Sequence, residues 1–254
     1  MKLGQPKAAV ISIIIPTSNE AKFLPVTLGA IDAAGIDRPH EILVVDAESS
    51  DRTVDLATAH GARVLLSATR QRAAQMNLGA TQALGDILLF LHADTSLPAG
   101  ALGCIEHALT NPRIAGGAFA RRYDLNSWWL RVTCALADVR GRSSGWFLGD
   151  QAIFVRANVF QMLGGFRDFP LFEDLDFSRR LRRSGRTVLL QPPVTSAARR
   201  FEGRGPWRTT WSDFFLTCRY LRGVPPCELA DEPGASAFQD ATVGAPSKMR
   251  FPNE

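Results

Sequence analysis

Three short apolar runs, each ending abruptly in acidic residues, constrain this chain more than any other feature. Residues 10–15 run into Pro16-Thr17-Ser18-Asn19-Glu20. Residues 42–45 run into Asp46-Ala47-Glu48-Ser49-Ser50-Asp51, and residues 87–91 into His92-Ala93-Asp94. Each run has the length of a strand and is too short to cross a bilayer. In an open α/β sheet, ligands bind beyond the carboxyl ends of parallel strands. Carboxylates at three such ends predict a polar ligand together with a hydrated divalent cation. A fourth acidic cluster, Phe172-Glu173-Asp174, follows far downstream.

The segments between the runs carry helical spacing. One helix is predicted over 20–34, with Pro25 in its first turns, where proline does least damage. Ser50-Asp51 reads as a cap for a helix to about residue 59. A short strand over 62–66 precedes a helix over 73–84, on which Ala73, Met76, Ala80 and Ala83 share a face. Pro98 opens a helix to about residue 109. This alternation predicts an α/β fold: a Rossmann-like, mostly parallel sheet flanked by helices, with right-handed crossovers. After Asn111-Pro112 the rhythm changes. Strands are expected over 116–123, 151–155 and 187–190, the last ending at Pro192-Pro193. Helices are expected over 127–138, 158–163, 173–183 and 207–221. Residues 231–254 are polar, rich in proline, glycine and serine, and without periodicity, which predicts a disordered tail.

The 254 residues suffice for one large α/β domain or two small ones. Net charge is only +4, but arginines crowd residues 179–208, Arg204 among them. Such a stretch suits phosphate, a diphosphate leaving group or an anionic membrane surface, and equally a solvated helix face. No nucleic-acid partner is expected. Cys104, Cys134, Cys218 and Cys227 form no C-x-x-C pair and no zinc-like spacing with histidine, so they read as free thiols of a reducing compartment. Residues 1–9 lack a secretory signal and no run reaches membrane-spanning length. The expected location is cytoplasmic, with peripheral contact at the inner membrane face left open. The aromatics of 207–221, flanked by arginines, suit either an interfacial helix or a core helix packed on the sheet.

Taken in order, residues 13–20 (IIIPTSNE), 46–53 (DAESSDRT), 89–94 (LFLHAD), Gly149-Asp150-Gln151 and Glu173-Asp174 resemble the family 2 glycosyltransferases of the GT-A fold, over roughly residues 11–200. Residues 70–77 (RQRAAQMN) and 195–200 (TSAARR) are similar to a small soluble subgroup, some of whose members are labelled arsenosugar-biosynthesis glycosyltransferases. The resemblance implies one GT-A domain over 1–230, with a nucleotide-binding half at about 10–110 and an acceptor-binding half at about 111–230. It implies transfer of a sugar from a nucleoside diphosphate sugar to a hydroxyl, on a small molecule or a lipid, with inversion and with Mn2+ or Mg2+ as cofactor.

The same resemblance assigns roles. Pro16, Thr17 and Glu20 contact the nucleotide, although Asn19-Glu20 alone reads equally as a helix cap. Asp46 accepts a hydrogen bond from the base edge; Asp51 orients the loop or caps a helix. Arg70, Arg72, Gln75 and Asn77 open a helix where the family places a basic residue near the nucleotide, and Arg72 and Asn77 are the nucleotide-sugar candidates. His92, Ala93 and Asp94 stand where the family has Asp-x-Asp. Asp94 matches the metal-holding position, whereas His92 departs from the pattern. His92 could replace the ribose contact, ligate the metal and so favour manganese, or be buried for packing. Glu173 and Asp174 resemble the catalytic pair, with Asp174 as general base and Glu173 as orienting neighbour, or the reverse. Asp150 and Gln151 match the acceptor-side loop, and Asp176 faces away on the helix. Arg199 and Arg200 could neutralise the departing diphosphate. The Gln-x-x-Arg-Trp motif of processive members is absent, which argues against a polymerising synthase. Two rivals stay open: a nucleotidyltransferase, whose glycine- and arginine-rich loop after the first strand is missing, and a sugar-nucleotide-binding protein without catalysis.

Overall fold

The computed structural model describes residues 9–202, 205–232 and 235. Its first half follows the expected alternation. β1 (Ile11–Thr17), β2 (His40–Asp46), β3 (Arg63–Leu66) and β4 (Ile87–Phe90) run parallel in the order β3-β2-β1-β4. They are joined by α1 (Leu24–Ala34), α2 (Thr53–Ala59) and α3 (Arg72–Gln82). Strand side chains alternate between faces, so an apolar run without alternation must be covered on both. In β1, Ile11, Ile13 and Ile15 join one core with Leu28 and Ile31 of α1, while Ile14 joins a second core with Met76 of α3.

α1 begins four residues later than its helical spacing suggests. Residues 18–23 stay a loop because the loop after β2 captures them. Asn19 N–H donates to Ser49 Oγ (2.7 Å) and Glu20 N–H to Thr53 Oγ1 (2.8 Å). Asp51 serves both roles open to it. It accepts the Ala21 N–H at 3.1 Å and the Thr53 N–H at 3.0 Å, so it ties the two loops and caps the first turn of α2.

The second half extends the same sheet. β5 (Thr95–Ser96), β6 (Ile114–Tyr123), β7 (Ile153–Arg156) and β8 (Arg186–Ser196) complete the order β3-β2-β1-β4-β7-β6-β8-β5. β7 is antiparallel to β4 and β6, β5 is antiparallel to β8, and β6 and β8 are parallel. α4 (Ala101–Leu109), α5 (Trp128–Ser144), α6 (Ala157–Met162), α7 (Glu173–Ser184), α8 (Pro206–Leu221) and α9 (Pro226–Ala230) cover it. Three differences from expectation matter. The two-residue β5 has no pattern long enough to read. α5 continues past 138 to Ser144, because Gly141 packs closely on Phe147 and Leu189 and a left-handed Gly145 closes the helix. β8 does not stop at Pro192-Pro193. Its register with β6 jumps between Leu190↔Phe119 and Val194↔Arg121, and the prolines sit in that irregularity, where no N–H is needed. The strand then resumes and brings Ser196 to Thr95 of β5.

Phe90, Phe160, Phe166 and Phe177 pack with ring centroids 4.6–5.5 Å apart. This cluster fixes α6 and α7 against β4, and so fixes the first turn of α7. At the other end, Leu229 and Ala235 are buried with Leu171, Phe172 and Leu216, and Glu232 pairs with Arg219. Most of the tail predicted over 231–254 lies outside the described residues, as does Arg204.

Candidate active site

The ends of β1, β4, β6 and β8 and the start of α7 open onto one cleft. The first half contributes Arg72 and Asp94 to it; the second contributes Tyr123, Asp150, Asp174 and Arg200. Four of the five non-glycine residues with positive φ among the described residues flank this region: Asn19 (56°), Glu48 (54°), Ala152 (50°) and Phe172 (65°). A left-handed conformation costs such residues roughly 1–3 kcal/mol each. Their concentration here marks loops whose course is set by the site.

On the donor side, one guanidinium joins two carboxylates from different strand ends. Arg199 donates to both oxygens of Glu20 at 2.8 and 2.9 Å, and its Nε lies 2.8 Å from Asp94 Oδ2. Burial raises the Glu20 and Asp94 carboxyls above their ordinary range, and Arg199 offsets part of that rise. Pro16 and Ala93 line the same branch of the cleft. Asp46 is fully buried and its carboxylate is already engaged. It accepts from Thr17 Oγ1 (3.0 Å), Ser49 N (2.8 Å) and Ser49 Oγ (2.5 Å). Gln75 bonds the carbonyls of Thr17 and Val45 and locks α3 onto the ends of β1 and β2. Arg70 is exposed and reaches only the Glu48 carbonyl.

On the acceptor side, a left-handed Phe172 starts α7 and turns Glu173 and Asp174 inward. Asp174 accepts the N–H groups of Gly149 (2.5 Å) and Leu175 (2.6 Å). Burial raises its pKa, and the Gly149 N–H counters only part of the rise. Gly149 cannot carry a side chain: a Cβ there would stand 2.5 Å from His92 Nε2 and 3.3 Å from Asp174 Oδ2. Glu173 turns to Arg72 at 3.4 Å and does not line the cleft. Burial lifts its carboxyl to about 7. Burial would also lift Asp150, but the Arg121 guanidinium bonded to it wins and brings the pKa down to about 2. Tyr123 Oη donates to the same Asp150 oxygen at 3.0 Å, while Oδ1 is buried without a hydrogen-bond partner. Arg200 is anchored by Asp213 of α8 at 2.5 Å.

Several predicted residues serve the scaffold. Asn77 exchanges two hydrogen bonds with the backbone of Phe166 and lies away from the cleft. Gln151 points inward, bonded to Leu148 N, Phe119 O and Arg140. Asp176 faces away, as expected, toward Arg167 and Arg180. The arginine-rich stretch divides: Arg199 and Arg200 reach the cleft, whereas Arg182, Arg183 and Arg186 are exposed. Arg121, Tyr123, Ser196 and Asp213 were not anticipated. Arg121 and Tyr123 carry a readable signal, since Arg121-Arg122-Tyr123-Asp124 follows the apolar end of β6 just as acidic clusters follow β1, β2 and β4.

Among the described residues no three His, Cys, Asp or Glu side chains converge into a metal-binding group. The described residues therefore offer a partial shell. His92 lines the cleft with Asp94, burial and then Arg72 push its pKa well below 6.5, and its neutral Nε2 is buried without a hydrogen-bond partner. One carboxylate and one imidazole nitrogen, completed by diphosphate oxygen and water, fit Mn2+ better than Mg2+.

The comparisons with known proteins agree with this geometry. Residues 12–173 match the model of Glycosyl transferase family 2. An undecaprenyl-phosphate 4-deoxy-4-formamido-L-arabinose transferase of Pectobacterium carotovorum is 31% identical over 157 residues, covering 58% of this chain and 48% of that protein. Its Pseudomonas aeruginosa counterpart is 30% identical over 159 residues, 58% of this chain and 46% of that one. The chain thus spans about half the length of the curated relatives it matches. The solved mannosyltransferase PcManGT of Pyrobaculum calidifontis, in complex with GDP-Man and Mn2+, superposes with a TM-score of 0.65 at 20% identity, over 93% of this chain and 70% of that one. S. aureus TarS 1-349 with UDP-GlcNAc gives 0.59 at 15% identity, over 90% and 69%. At such identities the structural likeness speaks for the fold, which is GT-A. Strand-end carboxylates, sheet order and family model converge: this chain belongs to glycosyl transferase family 2.

Proposed function

We propose that the cleft transfers a sugar from a nucleoside diphosphate sugar to a hydroxyl acceptor, with inversion, and that Asp174 is the general base. The observation that carries this reading is the placement of Asp174, a buried carboxylate facing the same cleft as Arg72, Arg199 and Arg200. Glu173 is turned to Arg72, which favours Asp174 as the base and Glu173 as its neighbour. The family match and the sugar nucleotides named in the complexes of the structural neighbours support a nucleotide-sugar donor.

The acceptor oxygen forms a bond to the anomeric carbon as the bond from that carbon to the diphosphate breaks, and its proton passes to the Asp174 carboxylate. The leaving diphosphate departs with the bonding pair. Arg72, Arg199 and Arg200 meet that charge, in a site already ordered around it. Asp94 and His92 would hold a divalent cation, which supplies charge neutralisation to the diphosphate when bound. Asp150 Oδ1, charged and unsatisfied, is free to accept a second hydroxyl of the acceptor. Two carboxylates at the acceptor end suit hydroxyls, which donate.

The test is a melting-temperature screen of the full chain with nucleoside diphosphate sugars, with and without Mn2+ or Mg2+. A specific donor at about 100 times its Kd stabilises by about 2.7 kcal/mol through linkage. Incubation of that donor should then release nucleoside diphosphate. Release of pyrophosphate from a nucleoside triphosphate would instead make the chain a nucleotidyltransferase, and donor binding without turnover would make it a binding protein.

A further inference from the structure

Exposed large apolar side chains in the first half are scattered singly, as at Val26, Ile36, Leu66 and Leu84, and need no partner. α5 and α8 differ. On α5, Trp128, Leu136 and Val139 are 64–66% exposed; on α8, Trp207, Trp211, Phe214 and Phe215 are 42–61% exposed. Their spacing is that of a helix stripe, which ordinarily turns inward. Here α8 buries only Thr209 and Leu216 and turns its aromatics outward. The two stripes form one surface. Trp129 Nε1 donates to Thr210 Oγ1 at 3.3 Å, and ring centroids step from Trp129 to Trp207 (4.2 Å), to Trp211 (5.8 Å) and on to Phe215 (5.8 Å).

We propose that this face of α5 and α8 docks the protein onto an anionic lipid bilayer. Charge selects the occupant. Every exposed charged side chain on the two helices is an arginine: Arg131 and Arg142 on α5, Arg208 and Arg219 on α8, of which Arg219 already pairs with Glu232. Their acidic residues, Asp138 and Asp213, are half-buried, and Asp213 is engaged by Arg200. A second copy docked about a two-fold axis would meet the same patch. It would bring arginine toward arginine with no exposed carboxylate from these helices between them. Anionic head groups supply the missing charge, and tryptophan rings suit the head-group layer, where one edge is apolar and the other wet. No helix among the described residues is long and apolar enough to cross a membrane, so the mode is lying on the surface.

Flotation of the full chain with vesicles decides it. The chain should float with vesicles of mixed phosphatidylglycerol and phosphatidylcholine at low salt, less at high salt, and weakly with phosphatidylcholine alone. Replacing Trp211→Ser together with Phe215→Ser should cut the vesicle-bound fraction roughly tenfold, with the wild-type circular dichroism melt retained. If that variant fails to fold, quenching of wild-type tryptophan fluorescence by brominated lipid takes its place. Absence of flotation at low salt, wild-type flotation by the folded variant, or absence of quenching would each overturn the proposal. So would a dimer in sedimentation equilibrium that the variant dissolves, which would assign the face to a second copy.

Discussion

The two halves of the molecule are built by different rules. Residues 11–90 alternate strand and helix, pair with one another in parallel, and set their polar groups at strand ends. Residues 114–230 mix parallel and antiparallel pairing, carry an irregular β6–β8 register, and place Asp150 on the 3-10 turn Gly149–Gln151 and Asp174 at the start of α7. Under the proposed function, the first half would cradle the nucleotide and its cation, and the second would supply the base and the acceptor wall. Substitutions in the two halves should then affect donor binding and chemistry to different degrees.

The largest effect is expected at Asp174. Asp174→Asn keeps the shape but cannot take a proton, and its single carbonyl oxygen can accept only one of the Gly149 and Leu175 N–H groups. Turnover should fall roughly 10²-fold or more, the scale of general-base catalysis, with donor affinity within a few-fold of wild type. Steady-state rates and calorimetric donor titration check both, and near-normal turnover would move the base to Glu173 or Asp150. Asp94→Ala should abolish turnover and, unlike Asp174→Asn, also remove most of the metal-dependent part of donor binding. The gain in UDP or GDP affinity that Mn2+ confers should drop roughly tenfold, read by titration with and without the metal. An unchanged gain would place the cation away from β4.

Subtler effects sharpen the contrast. Glu173 ionises near 4.5 when unfolded but at about 7 in the fold. Its protonated form is favoured by folding, so its stabilisation is present below pH 4.5 and is lost as pH rises through 7. Glu173→Gln removes that slope. The variant should gain a few degrees of melting temperature relative to wild type between pH 5 and 8; a constant difference would mean that Glu173 titrates normally. The smallest effect concerns the chain end. Stopping after residue 235 should leave folding and donor binding intact. Stopping after 230 removes buried Ala235 and the Glu232–Arg219 pair, which should cost about 1 kcal/mol, or roughly 2–4 °C in Tm.

The same division governs what could be read from sequence. β1, β2 and β4 were legible because apolar runs without alternation admit few structures, and Glu20 and Asp94 followed as their terminal residues. Nothing local announces that Arg199, far down the chain, closes on both. Asp46 and Asn77 show the opposite limit. Their residue types suit a ligand, but neighbours at Ser49, Thr17 and Phe166 claim their polar atoms. Spacing can name candidates; only packing decides which remain available. The aromatics of α8 show the limit for apolar groups, since periodicity gives a stripe but not the side it faces.

The position of β7 has a mechanical consequence. A strand from the second half lies between β4 and β6 and hydrogen-bonds both, so the hydrogen-bonded sheet runs across the whole domain without a seam. Cutting the chain near residue 110 would therefore leave β4 as a bare edge, with a row of unpaired backbone groups inviting aggregation. The two halves, whatever the proposed division of roles, cannot melt independently, and a calorimetric scan should record their loss as a single event.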